Sequence, residues 1–168
     1  MRIFDCTTYY KEDLMLEVRF NILNKYVDKF VVAEANYSHS GEKKRLNFDI
    51  NKFPKFKEKI IYIKIENEPD NIIYNKKNNI TFEEESEKRA NSIKRINYQR
   101  DKLMQCLEEA DENDYILYSD NDEIPDLKNI NFEKNKKKIL IFKQKLYYYK
   151  FNLFFDRIFW FGTKGCKK

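Results

Sequence analysis

Residues 114–125 read DYILYSDNDEIP. The apolar run Tyr115-Ile116-Leu117-Tyr118 has the length and composition of a short buried strand. It drives straight into Ser119 and then Asp120-Asn121-Asp122-Glu123. Carboxylates crowded against a low-dielectric sheet raise one another's pKa unless a cation joins them. In open α/β sheets, ligands bind beyond the carboxyl ends of the strands, which is where this cluster falls. If the chain stays extended, Asp120 and Asp122 project from one side, about 6.6 Å apart, and Glu123 from the other. A hard divalent cation answers such a pair, and magnesium or manganese completes its shell with water and a substrate's phosphates.

The plain alternative is a surface turn, since Asp, Asn and Pro all form turns. The apolar run in front and Glu-Ile-Pro behind favour the functional reading over a bare Asp-x-Asp. An EF-hand loop is excluded, because no Gly stands at its required place and no Glu closes a twelve-residue loop. A phosphatase of the haloacid dehalogenase type places its Asp-x-Asp early, whereas here only residues 123–168 follow.

Upstream, residues Phe82 to Ala110 predict a long helix. Thr81 is a good N-cap, Glu84 completes a capping box, and Glu83, Glu84 and Glu85 suit the positive end of the helix dipole. Ile93, Ile96, Leu103 and Leu107 mark its expected buried stripe. Arg100 falls on that stripe and Asn97 at its edge. A cation there either snorkels to the rim or points into a site, where its rigid fork pairs with phosphate or carboxylate. Arg89 and Arg95 are weaker candidates, as exposed helix arginines are common.

The remaining pattern is strand–helix–strand. Arg2-Ile3-Phe4 predicts a first strand and Lys11 to Val27 a helix, with Leu16, Phe20, Leu23 and Val27 on one face. Lys29–Ala35 (KFVVAEA) and Lys59–Glu66 (KIIYIKIE) predict two more strands. Ile139–Phe142 and Leu146–Phe155 predict late strands, arranged as a hairpin. The expectation is one domain over residues 1–168, an α/β fold with a mostly parallel sheet flanked by helices.

Bulk composition narrows the function classes. Hydrophobic residues make up 42% and aromatics 16%, enough for a core, and a chain this long buries about 70% of its unfolded surface. Net charge is +5, but the basic residues are scattered and only seven of the 33 are Arg. That argues against a nucleic-acid face. The cysteines, Cys6, Cys106 and Cys166, show no metal spacing and read as reduced thiols. With no apolar run of spanning length and no leader pattern, the chain reads as soluble and cytoplasmic.

Five blocks in order then carry a resemblance: IFDCTTYYKEDLMLEVRFNIL, FVVAEANYSHSGEKKRL, KRINYQRDKL, ILYSDNDEIP and FWFGTK. Together they resemble glycosyltransferase family 17, which includes the enzyme adding bisecting N-acetylglucosamine to N-glycans. The resemblance implies a GT-A-type nucleotide-sugar-binding fold, a UDP-N-acetylglucosamine donor, a divalent metal (manganese or magnesium) and inverting transfer to a mannose hydroxyl of a glycan acceptor. It implies that Asp120 and Asp122 hold the metal and the diphosphate. It places Thr7 and Thr8 where such folds begin to wrap the nucleotide, Glu34 where an acid contacts base or ribose, and Asn97 and Arg100 in the matching helix motif. His39-Ser40-Gly41 matches the loop after the second strand, although a lone loop histidine is seldom a ligand. Glu12 and Glu17 also match, on a helix where Glu17 has an ordinary ion-pairing role open to it.

Members of the family continue past the residue at which this sequence stops, into an acceptor-side segment with a Trp-His motif. An inverting transfer needs a general base, and Glu123 and Asp156 are the late acids available. Two further classes therefore stand beside the enzyme: a shortened, inactive relative that binds a nucleotide sugar or a protein partner, and a basic interaction module.

Overall fold

The computed structural model describes residues 1–73 and 82–168. The expected Thr81 cap and the side chain of Glu83 lie outside the described residues. The elements run β1 (Ile3–Thr8), α1 (Asp13–Leu23), β2 (Lys29–Ala35), two short 3₁₀ turns, β3 (Ile60–Ile65), α2 (Phe82–Lys102), β4 (Tyr115–Tyr118), β5 (Ile139–Tyr148) and β6 (Leu153–Lys167).

One six-stranded sheet has the order β3-β2-β1-β4-β6-β5. The β3-β2-β1-β4 half is parallel, but β6 pairs antiparallel with both β4 and β5. The sheet is thus mixed, and parallel character holds for the four-strand half only. Parallel strands need a long crossover: α1 links the neighbours β1 and β2, and α2 carries the chain from β3 at one edge back across to β4 beside β1. A short turn joins β5 to β6, and such a turn can only reverse the chain.

Strand alternation separates two cores. Ile3, Phe30, Val32, Tyr115 and Leu117 face α1, where Leu16, Phe20 and Leu23 form the expected stripe. Phe4, Cys6, Val31, Ala33 and Ile116 face the other way, against Leu103 and Cys106. Phe20 is fully buried and packs on Phe30, Phe53 and Phe56 with ring centroids 4.4, 5.4 and 5.4 Å away. Truncating such a ring to Ala costs about 3–5 kcal/mol. Lys59 Nζ donates 2.8 Å bonds to the carbonyls of Asn24 and Val27. A cation on carbonyls left over at a helix C-terminus is favourable, and α1 stops there, short of Val27.

Two expectations are corrected. On α2 the buried face is rotated: Ile93 is 49% exposed, while Asn91, Arg95 and Gln99 are buried, followed by Leu103 and Cys106 on a 3₁₀ extension. Arg95 is therefore buried, although its spacing suggests exposure. In the late hairpin, the strand expected over Leu146–Phe155 is broken by a turn. Tyr149 and Phe151 hold φ of 56° and 59° there, a left-handed backbone that costs non-glycine residues about 1–2 kcal/mol each.

Candidate functional site

The site begins with a buried cation. Arg19, on α1, has no solvent exposure. Its Nε and Nη2 donate to the two oxygens of Asp5, inside β1, at 2.7 and 2.6 Å. Nη2 also reaches Ser119 Oγ at 2.5 Å. Nη1 donates to the carbonyls of Asp120, Asn121 and Glu123 at 3.1, 3.3 and 3.2 Å. A buried charge must be paired and hydrogen-bonded, and here the pairing sets the path of the chain after β4.

That path is a turn, so the extended geometry expected for residues 120–123 is corrected. Glu123 N donates to Asp120 O at 3.0 Å, closing a β-turn with Asn121 and Asp122 at its centre. Turn-forming residues and three carbonyls drawn toward one guanidinium favour this over an extended strand. Glu123 folds back: its carboxylate accepts from Asp120 N at 3.1 Å and from the indole N–H of Trp160. Gly162 makes room for this approach, since a Cβ there would lie 2.1 Å from Gln144 Oε1 and 2.9 Å from Glu123 Cδ.

Asp120 and Asp122 stand on the wall shared by two clefts. The first, about 360 Å³, lies at the carboxyl ends of β1, β2 and β4. It is lined by Thr8, Tyr37, His39 and Gln99 among others, and by Asp120, Asn121 and Asp122. The second, about 840 Å³, runs from the same aspartates along the β5–β6 hairpin past Glu123, Lys143, Gln144 and Trp160. Phe151, with its left-handed backbone, borders both.

The electrostatics differ between the two aspartates. Asp120 accepts from Arg100 Nη2 at 3.1 and 3.3 Å and from Tyr118 Oη at 3.0 Å. Burial and then the Asp120 charge push the Tyr118 phenol up, so it donates at neutral pH. Asp122 is exposed and carries no hydrogen bond or ion pair among the described residues. No three His, Cys, Asp or Glu side chains converge among the described residues. Two carboxylates, Asp120 and Asp122, stand on one cleft wall, and so sparse a set fits only a hard cation that takes most of its ligands from water and substrate oxygens.

The other expected residues fall in different places. Thr8 lines the first cleft. Thr7 is buried, with its hydroxyl on the carbonyl of Thr8. Glu34 is fully buried. Its carboxylate is taken up by Lys44 Nζ, by the amides of Asn47 and Phe48 at 2.8 and 2.9 Å and by Tyr62 Oη at 2.9 Å. Its role in the structure is to fold the 44–48 segment. Asn97 is exposed and does not line the first cleft. Glu12 lines the cleft and caps the amides of Tyr10 and Lys11. Glu17 and Asp156 are exposed. His39 borders the cleft, where burial and the Arg100 charge hold its pKa below the ordinary value, so it is neutral at pH 7.

Several site residues escaped sequence reasoning. Arg19 and Asp5 gave a signal, a charge beside an apolar helix stripe and a charge inside an apolar strand, but the pairing only exists in three dimensions. Arg95 pairs with Glu68 at 2.5 Å and donates to His39 O at 3.3 Å, bracing the 38–41 loop. Gly41, at φ +92°, sits where a Cβ would lie 2.4 Å from Arg95 Nη2. Tyr37 Oη and both side-chain polar atoms of Asn121 are buried without a hydrogen-bond partner among the described residues. Each such group costs the fold about 1–3 kcal/mol. Burial pushes the Tyr37 phenol up to about 12, leaving it protonated.

Compared with known proteins, residues 1–165 match the family model described as glycosyltransferase family 17. Neither a curated protein nor a solved structure gives a significant match.

Proposed function

This chain belongs to glycosyltransferase family 17, and on that footing we propose that it transfers N-acetylglucosamine from UDP-N-acetylglucosamine to a mannose-containing glycan, with inversion. The observation that carries the reading is Asp122, without a partner among the described residues, beside Asp120 on the wall between two clefts. One cleft suits a donor and the other an acceptor, and they meet where transfer must occur. The strand order, with β4 ending in the acidic turn, supports a GT-A-type assignment.

Asp120 and Asp122 would hold manganese or magnesium. The ion would supply Lewis-acid neutralisation of charge on the departing diphosphate. Arg100, already on the Asp120 carboxylate, adds fixed positive charge on the same wall. Arg19 keeps the turn rigid from beneath, so the carboxylates are positioned before substrate arrives. Glu123 lines the second cleft and is the candidate to take the acceptor hydroxyl proton. The Trp160 and Asp120 N–H groups fix its orientation.

A second reading, donor or partner binding without transfer, draws on the exposed hairpin aromatics Phe154, Phe159, Trp160 and Phe161. Thermal unfolding with manganese and UDP-N-acetylglucosamine, singly and together, tests the donor site in both. At 100 times its dissociation constant a ligand stabilises the fold by about 2.7 kcal/mol. The expected result is a shift that needs both components and vanishes in Asp122→Ala. A wild type that folds yet shifts with neither sinks the donor site. Turnover on mannosylated acceptors then separates transfer from binding alone.

A further inference from the structure

Three largely buried polar side chains line the first cleft without a hydrogen-bond partner among the described residues. Tyr37, just beyond β2, is 3% exposed, Gln99 on α2 is 5% exposed, and Asn121 in the turn after β4 is 9% exposed. Tyr37 Oη and both Asn121 side-chain atoms lack a partner among the described residues, and Gln99 makes no hydrogen bond among them either. All three line the same cleft. Protein interiors pair nearly all of their buried polar atoms. Two exceptions on one wall, Tyr37 and Asn121, with the Gln99 carboxamide beside them in the same cleft, mark a place where bonding is completed by an occupant.

The chemistry of the trio says what kind. None of the three is charged. The two carboxamides each offer an oxygen acceptor and an N–H₂ donor, and a protonated phenol donates. A phosphate presents acceptors only and would leave both carboxamide oxygens unmet. A cation would leave the N–H groups unmet. A neutral planar amide or imide offers both a carbonyl and an N–H, adjacent in a cyclic imide and opposed in a trans acetamido group, and so can answer the donors and acceptors of the trio together.

We propose that Tyr37, Gln99 and Asn121 together read an amide-type edge on the uncharged part of the donor, either the imide of its pyrimidine base or the acetamido group of its sugar. The inference rests on the donor reading above. It also has a signature that a structural role lacks. An unmet buried group weakens the free protein and strengthens the complex, so removing it should spare the fold and damage binding.

The test uses Tyr37→Phe, Gln99→Met and Asn121→Ala in the full chain. Calorimetric titration in manganese would give Kd for UDP-N-acetylglucosamine, UDP-glucose and UDP, and thermal unfolding would give Tm of each free protein. Each variant is expected to raise the UDP-N-acetylglucosamine Kd about tenfold or more, with Tm unchanged or higher. Loss extending to UDP assigns the base edge, and loss confined to UDP-N-acetylglucosamine assigns the acetamido group. Variants that bind all three ligands as the wild type does overturn the proposal, as does a Tm that falls in step with affinity. A wild type that binds none of them overturns the donor reading, and this inference with it.

Discussion

The guanidinium of Arg19 meets both carboxylate oxygens of Asp5 at 2.6 and 2.7 Å, and neither side chain reaches solvent. The same guanidinium holds three carbonyls of the turn that carries Asp120 and Asp122. Removing one partner strands a buried charge, so Asp5→Asn or Arg19→Met should cost about 3–5 kcal/mol. The pair Asp5→Leu with Arg19→Met leaves no charge behind and should recover part of that loss. It should not recover donor binding, because the turn has lost its clamp. Urea unfolding and donor titration on all three variants check this, and a double variant that binds normally contradicts it.

Arg100 and Asp120 behave differently, because their side chains are 41% and 47% exposed. Exposed pairs contribute about 0–1 kcal/mol, so Arg100→Gln should leave Tm nearly unchanged. Donor affinity should nonetheless fall about tenfold, and its dependence on salt should flatten, because a fixed positive charge leaves the wall of the cleft. Equal affinity and equal salt dependence in variant and wild type would argue that Arg100 is only a surface partner of Asp120.

Gly162 gives a way to move Glu123 without replacing it. A methyl group there collides with Gln144 Oε1 and the Glu123 carboxyl. Gly162→Ala should therefore lower kcat by about tenfold or more through misplacement alone, while donor Kd stays near that of the wild type. Steady-state kinetics beside titration separates the two effects. If kcat holds while Glu123→Gln is inactive, the glycine is a packing residue and nothing more.

Acid stability should be set in part by Asp114. Burial works against its charge, but the amides of Asp111 and Arg2 and the Arg2 guanidinium outweigh it, and its pKa is lowered. A depressed carboxyl pKa contributes stability that is present above the unfolded value, about 3.9, and is lost as pH falls through the folded value. Stability should thus decline below about pH 4, and Asp114→Asn should flatten that decline while costing about 1.5–3 kcal/mol near neutrality. Unfolding free energies from pH 2 to 7 on both proteins decide the matter.

The parallel strands and the α1 stripe were legible because their signal is local: runs of Val and Ile, and Leu16, Phe20 and Leu23 at helical spacing. The acidic cluster was legible because carboxylates at a strand end are unusual on their own terms. The face of α2 was not. Counting apolar residues selects Ile93 and passes over Asn91, Arg95 and Gln99, because these three are buried against the loops after β2 and β3 and the cleft, where polar partners stand. The turn at 120–123 was equally hidden, since its geometry depends on a guanidinium contributed by a different part of the chain.

The contacts of Arg19 with the acidic turn join residues 101 to 104 positions apart. Closing so long a loop carries an entropic cost that is met before any of its contacts form, which makes such pairings slow to arrive. The site should consequently be assembled late. A nascent chain released only as far as α2 possesses the cation and its β1 partner but not the turn they are meant to hold. Competence to engage a nucleotide sugar should appear abruptly during synthesis, once β4 has left the ribosome and inserted beside β1.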